Sequence, residues 1–239
     1  MTKLLRAALV LVAPLVLWGC VLTPGKFVSS LTVKADRTFA FAYKGEVIAL
    51  EAPTSMKGLS DNSEAKSESG ETSKPDPAKA DATEDAEAAA KNREIAAALS
   101  KEAGYRSVAY RGKGKFEIDY AVSGRLDHSF VFPFNTDAQA VFPFIAVEVR
   151  QGGTVRVRAP GFANSQSNGT GMGGLGGMGG SAPDASKFLD GVFTLDTDAE
   201  IVSQNNEDGA KTVGGRKQIM WRATPLTKDA PTVVLRLKP

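Results

Sequence analysis

Between Lys115 and Val122 the chain alternates strictly. Phe116, Ile118, Tyr120 and Val122 are apolar, while Lys115, Glu117 and Asp119 between them are charged. Successive side chains of an extended chain point to opposite faces, so this segment predicts a strand with one face buried and the other in water. Such a strand needs partners, and shorter runs supply them: Phe27 to Val33, Phe39 to Leu50, Tyr105 to Tyr110, Phe130 to Phe134, Phe142 to Arg150, Val192 to Leu195, Glu200 to Ser203, Lys217 to Ala223 and Thr232 to Leu237. Turn residues separate them, among them Asp36-Arg37, Asp196-Thr197-Asp198, and the stretch from Asp208-Gly209 to Gly214-Gly215. The expected class is α+β, mainly β: a curved antiparallel sheet or a partly open barrel packed on one helix, with two disordered inserts.

The loop Gln151-Gly152-Gly153 allows the register to be argued. A two-residue turn would set Val149 opposite Arg156. A three-residue loop pairs Val149 with Val155, Val147 with Val157 and Glu148 with Arg156. A one-residue slip turns every side chain to the other face, so the second register is expected.

Two segments interrupt this pattern. From Pro53 to about Ala80, Ser, Glu, Lys, Asp, Ala and Pro dominate, and large apolar residues almost vanish after Leu59. That composition cannot bury enough surface to offset ordering entropy, so disorder is expected. From Asn164 to Pro183 a Gly-rich run carries Met172, Leu175 and Met178 and reads as a flexible surface loop. Between the inserts, Asp81 and Glu84 fit a capping box, alanines follow, Ile95 and Leu99 lie one turn apart and Gly104 is a candidate C-cap. The helix is expected to dock through Ile95 and Leu99 at its C-terminal half. A helical turn is expected over Asp184 to Leu189.

The N-terminus carries a different message. Lys3 and Arg6 precede an apolar run, Ala7 to Leu17, and Gly19 supplies a small residue for cleavage, which is the layout of an export signal. The run is too short to span a bilayer, which takes about 20 residues. Cys20 is the only cysteine, so no intramolecular disulfide can form and stability must come from packing. Leu17-Trp18-Gly19-Cys20 resembles the lipobox of bacterial lipoproteins, with Trp18 standing where a small or β-branched residue is usual. The resemblance implies a signal over residues 1–19, diacylglyceryl and further acyl (palmitate-type) modification of Cys20, a lipidated tether over 20–26 and one β-rich domain over 27–239. It further implies the cell envelope. Val21 is not the aspartate that retains such proteins in the inner membrane, so the outer membrane facing the periplasm is expected in a Gram-negative cell. The alternative is the outer face of the cytoplasmic membrane.

A second, looser likeness rests on Gly191-Val192-Phe193-Thr194, on Asp196 through Val202, on Ile219-Met220-Trp221 and on Ala230-Pro231-Thr232. These are similar to the C-terminal half of the LppM-type lipoprotein domain, which implies a membrane-tethered β-rich domain with glycolipid contact as a possible role. The chain differs from that pattern in its two inserts and in ending at Pro239 without a hydrophobic span.

Charge narrows the function classes. Removing Lys3 and Arg6 with the signal leaves 27 basic residues against 27 acidic ones. With no basic run interleaved with aromatics, nucleic acid is not an expected partner. His128 is the only histidine, and in Asp127-His128-Ser129 neighbouring side chains diverge, so no catalytic triad and no multi-histidine metal site is expected. Gly169-Thr170-Gly171-Met172-Gly173-Gly174 spells GxGxxG without a preceding strand. Two thioethers, Met172 and Met178, are a thin basis for copper(I). Asp196, Asp198 and Glu200 lack the glycine turn and terminal glutamate of a calcium loop. No cofactor and no metal is predicted, and no catalytic residue is assigned.

One repeat stands out. Val131-Phe132-Pro133-Phe134 recurs as Val141-Phe142-Pro143-Phe144. Phe132, Phe134, Phe142 and Phe144 either fill the core or line the mouth of an apolar cavity. Arg150, Arg156 and Arg158 are candidate contacts for anionic headgroups, or an ordinary charged sheet face. The leading expectation is a non-enzymatic envelope lipoprotein that binds lipid or another hydrophobic ligand. The alternative is a structural or assembly partner of envelope proteins, marked by a filled core and an exposed, pairing-competent sheet edge.

Overall fold

The computed structural model describes residues 21–50, 86–133, 143–164 and 185–238. The signal, Cys20, Asp81 and Glu84, Phe134, Phe142 and almost all of both expected inserts lie outside the described residues.

The class is as expected, mainly β with one helix. The strands, in chain order, are β1 (Val21–Val33), β2 (Thr38–Leu50), β3 (Tyr105–Tyr110), β4 (Lys115–Arg125), β5 (Phe130–Phe132), β6 (Ile145–Val149), β7 (Thr154–Arg158), β8 (Asp190–Thr197), β9 (Glu200–Gln204), β10 (Lys211–Val213), β11 (Arg216–Ala223) and β12 (Thr232–Arg236). The helix α1 spans Ala86–Leu99, and a short 3-10 turn covers Ala185–Phe188, inside the predicted helical turn.

Two features differ from a single antiparallel sheet. The strands divide into a seven-stranded sheet, ordered β10-β11-β8-β1-β2-β4-β3, and a five-stranded sheet, ordered β5-β6-β7-β12-β9. Within the large sheet β1 and β8 run parallel, Phe27 beside Gly191 and Val33 beside Thr197. Parallel neighbours need a crossover rather than a hairpin, and here more than half the chain intervenes. The join is fixed by side chains: Thr197 Oγ1 donates to the Val33 carbonyl at 2.6 Å, and the Ala35 amide donates to Asp198 Oδ1 at 2.7 Å.

The local register follows the hydrophobic pattern. β1 and β2 pair Leu31 with Phe41 and Val33 with Phe39 across the Asp36-Arg37 turn. The β6–β7 hairpin pairs Val149 with Val155, Glu148 with Arg156 and Val147 with Val157, as a three-residue loop requires. Gly152 and Gly153 both adopt φ of 72°, a conformation that glycine takes without penalty.

The inner faces of the two sheets meet in one core. Leu31, Phe41, Tyr43, Phe193 and Leu195 from the large sheet join Phe132, Ile145, Val147, Val155, Val157 and Leu235 from the small one. Each fully buried large apolar side chain contributes about 1.5–3 kcal/mol relative to exposure. The helix packs on β3, and of the two side chains its sequence suggests Leu99 is half-buried while Ile95 faces water. Ala89 and Ala96 are buried and Ile95 is 41 % exposed. Asn92 Nδ2 donates to the Tyr110 hydroxyl at 3.2 Å, so a shallow Ala89–Asn92–Ala96 stripe sets the approach. Gly104 lies beyond the helix end. Its φ is 94°, and a Cβ there would sit 2.5 Å from the Tyr120 ring, so its need is set by β4 rather than by a helix cap.

Candidate functional site

The expected tether is part of the sheet. β1 begins at Val21, with Val21 opposite Leu50 and Leu22 opposite Ala49, and the register shifts only between Pro24 and Phe27. Thr23, Pro24 and Gly25 are buried. A Cβ on Gly25 would lie 2.8 Å from Glu46 Oε2, so this segment is held too tightly against β2 to serve as slack. The candidate lipidation site Cys20 thus directly precedes a central strand.

Of the four candidate phenylalanines, two are described and both are in the core. Phe132 is 2 % and Phe144 1 % exposed. The Phe132 ring lies 4.6 Å from Tyr120, 5.2 Å from Phe41, 5.3 Å from Tyr43 and 6.1 Å from Phe144, centre to centre. These are the separations at which tilted aromatic pairs attract. A second group continues from Tyr43 through Phe27, Phe162, Phe193 and Trp221. Phe27 reaches Phe162 at 4.4 Å because glycines flank it. A Cβ at Gly191 would meet the Phe27 ring at 2.4 Å, and one at Gly45 would meet Phe27 Cβ at 2.6 Å.

Among the concavities formed by described residues, two on the large sheet are open depressions. One, of about 450 Å³, is lined by Lys26, Val28, Lys44, Val192 and Arg222. The other, of about 300 Å³, is lined by Ser30, Thr32, Ala40, Ala42, Ala121 and Ser123. Both involve the outer face of the large sheet, where the short side chains of β1, β2 and β4 sit beside the long ones of Lys44, Arg106 and Arg222 and where Val28 and Met220 are 65 % and 56 % exposed.

The polar candidates are dispersed. His128 is exposed in the loop after β4; Asp127 accepts from Arg125 Nε at 3.2 Å, and Ser129 Oγ accepts from the Val149 amide at 3.1 Å. Asp196 pairs with Arg216, Asp198 holds the Ala35 amide, and Glu200 pairs with Arg236 at 3.1 Å. Their partners lie on different elements, so they do not converge on one point. Among the described residues no group of three or more His, Cys, Asp or Glu side chains is placed to hold a metal ion. Arg156 and Arg158 face outward from β7, and Arg150 pairs with Glu148 at 2.7 Å. No helix among the described residues is long and apolar enough to cross a membrane.

The buried phenols are held protonated. Burial pushes the Tyr43 hydroxyl far above its ordinary value, with Glu46 adding to the effect, and that hydroxyl donates to the Glu46 carbonyl at 2.7 Å. Burial likewise pushes Tyr105 up to about 12.

No protein-family model and no curated protein matches this chain. Among solved structures, the folded domain of LppM from Mycobacterium tuberculosis is similar at 15 % identity and a TM-score of 0.32, over 91 % of this chain and 92 % of that one. An M1 zinc metallopeptidase from Deinococcus radiodurans is similar at 9 % identity and a TM-score of 0.25, over 90 % of this chain and 42 % of that one. Likeness at this level assigns no activity.

Sequence reasoning passed over the outer face of the large sheet. The signal was available: Ser30, Thr32, Ala40, Ala42, Ala121 and Ser123 are the residues between the apolar ones of β1, β2 and β4. What the sequence lacked was the strand order that sets them side by side.

Proposed function

We propose that this protein is an envelope lipoprotein, anchored through Cys20, whose folded domain works as a protein-contact module rather than a carrier of a buried ligand. The anchor rests on the export-signal layout and on Leu17-Trp18-Gly19-Cys20. The observation that carries the second half is the filled core at Phe132 and Phe144, where rings occupy the space that an apolar ligand would need. The contact surface we assign is the outer face of the large sheet, and the partner is another envelope protein. Short side chains over β1, β2 and β4 allow close approach of a second backbone, with Val28 and Met220 as exposed apolar contacts. The sheet edges are less suited to this. β10 has three residues, and β3 and β9 carry register irregularities, which are devices that discourage edge pairing.

Photo-cross-linking in cells tests the reading. A photoreactive residue at Ala42 or Ala121 is expected to give a discrete protein adduct, and one at Thr154 on the small sheet is expected to give none. Adducts of lipid mass at Ala42, or none at either position, would overturn the proposal. Lipid adducts would restore the reading of a hydrophobic-ligand binder and turn attention to Phe134 and Phe142.

A further inference from the structure

The β3–β4 turn reads Tyr110-Arg111-Gly112-Lys113-Gly114-Lys115, three cations in five residues with no acid among them. The sheet places this turn beside the start of β1. Lys115 is opposite Ile48, the Ala49 amide donates to the Gly114 carbonyl at 2.8 Å, and Ala49 is opposite Leu22. We infer that this turn is a contact site for anionic phospholipid headgroups, pressed to the bilayer surface by an anchor with no spacer. The inference rests on the proposed lipidation of Cys20.

Three observations carry it. First, β1 starts at Val21, so acyl chains on Cys20 leave no slack between the bilayer and the first paired residues. Leu22, 37 % exposed, is the adjacent apolar side chain. Second, the turn's charge faces outward: Arg111 and Lys113 are exposed, with Arg111 held by Glu117 at 2.6 Å and Lys115 by Glu46 at 3.1 Å. These carboxylates fix the direction of the two cations flanking Lys113. Third, Lys113 occupies a left-handed conformation, φ 51°, between two glycines at 89° and 69°. Asparagine or glycine would take that position at lower cost. A long cation kept there against backbone preference points to a role for its charge. Basic residues that an anchor holds close to an anionic surface are attracted to its headgroups and set which face of the domain meets the bilayer.

The test uses the full-length protein in vesicles of phosphatidylcholine, with or without phosphatidylglycerol, containing a lipid with a quencher in its headgroup. Lipidation consumes the Cys20 thiol, so Lys113→Cys or Lys34→Cys introduces a single site for a fluorophore. Lys34 is exposed at the opposite end of β1, about 40 Å away at ~3.3 Å per residue. The label at 113 is expected to be quenched and the label at 34 not. The label at 113 replaces the Lys113 cation, so the charge is tested with the label at Leu50→Cys, beside the turn: Arg111→Gln, Lys113→Gln and Lys115→Gln together are expected to lower quenching at 50 in the anionic vesicles about twofold or more. Equal quenching at 113 and 34 in anchored protein would overturn the inference, and so would insensitivity at 50 to the three Gln substitutions. A labelled Cys20 together with protein that fails to float with the vesicles would instead sink the anchor itself, and this inference with it.

Discussion

Tyr43 and Glu46 are three residues apart and titrate in opposite directions. The raised Tyr43 value means that folding favours the protonated phenol. Its contribution is therefore intact below the ordinary tyrosine value of 10.0 and is lost as pH climbs past it, when the unfolded chain ionises first. Burial works to raise Glu46, but hydrogen bonds from Lys115 and the Lys26 amide outweigh it and leave the carboxyl below its usual 4.5. Its contribution is present above that value and is lost as pH falls through the lowered one. Stability measured by denaturant against pH is thus expected to fall at both ends. Tyr43→Phe should flatten the alkaline limb and cost about 1–2 kcal/mol at neutral pH, because the part-buried Glu46 carbonyl loses its donor. Glu46→Gln should flatten the acid limb. Gly191→Ala meets a different constraint, since its methyl would enter the Phe27 ring, and a loss of about 2 kcal/mol or more in chemical denaturation is expected.

At the scale of elements, patterning carried most of the information. Strict alternation marked β4, and loop length fixed the β6–β7 register before any coordinates were needed. β10 escaped because its three residues, Lys211-Thr212-Val213, are all exposed and carry no apolar periodicity. The docking face of α1 is only partly legible in the sequence, because the fully buried side chains are the small ones, Ala89 and Ala96, while Leu99 is half-buried and Ile95 faces water. Ala96→Leu is accordingly expected to destabilise by about 1–3 kcal/mol, and Ile95→Lys to leave the melting temperature almost unchanged. Asn205 is a link that no pattern announces. Its Oδ1 accepts from Trp221 Nε1 at 3.2 Å and from the Thr232 amide at 2.9 Å, while its Nδ2 donates to the Ala230 carbonyl at 2.8 Å. It ties the end of β9 to strands of both sheets. Asn205→Ala is expected to cost about 1–3 kcal/mol and to shift Trp221 fluorescence in the native state.

For the whole molecule, the division into two sheets and the parallel β1–β8 join were not legible, because both depend on contacts between residues far apart in the chain. Thr197 and Val33 are 164 positions apart. The same gap separates what the sequence says about the site from what the fold adds. Cys20 belongs to a local pattern and needs no fold to be noticed. The outer sheet face and the cationic turn beside β1 exist only once distant strands are in order. The two halves meet at Val21, where a sequence signal for anchoring runs straight into a central strand. The central claim is that this junction carries lipid. Mass spectrometry of the N-terminal peptide of the full-length protein, purified from its native membrane, tests it most directly. A chain that begins at Cys20 with a diacylglyceryl thioether is expected. A chain beginning at Met1, or an unmodified Cys20 thiol, would contradict it.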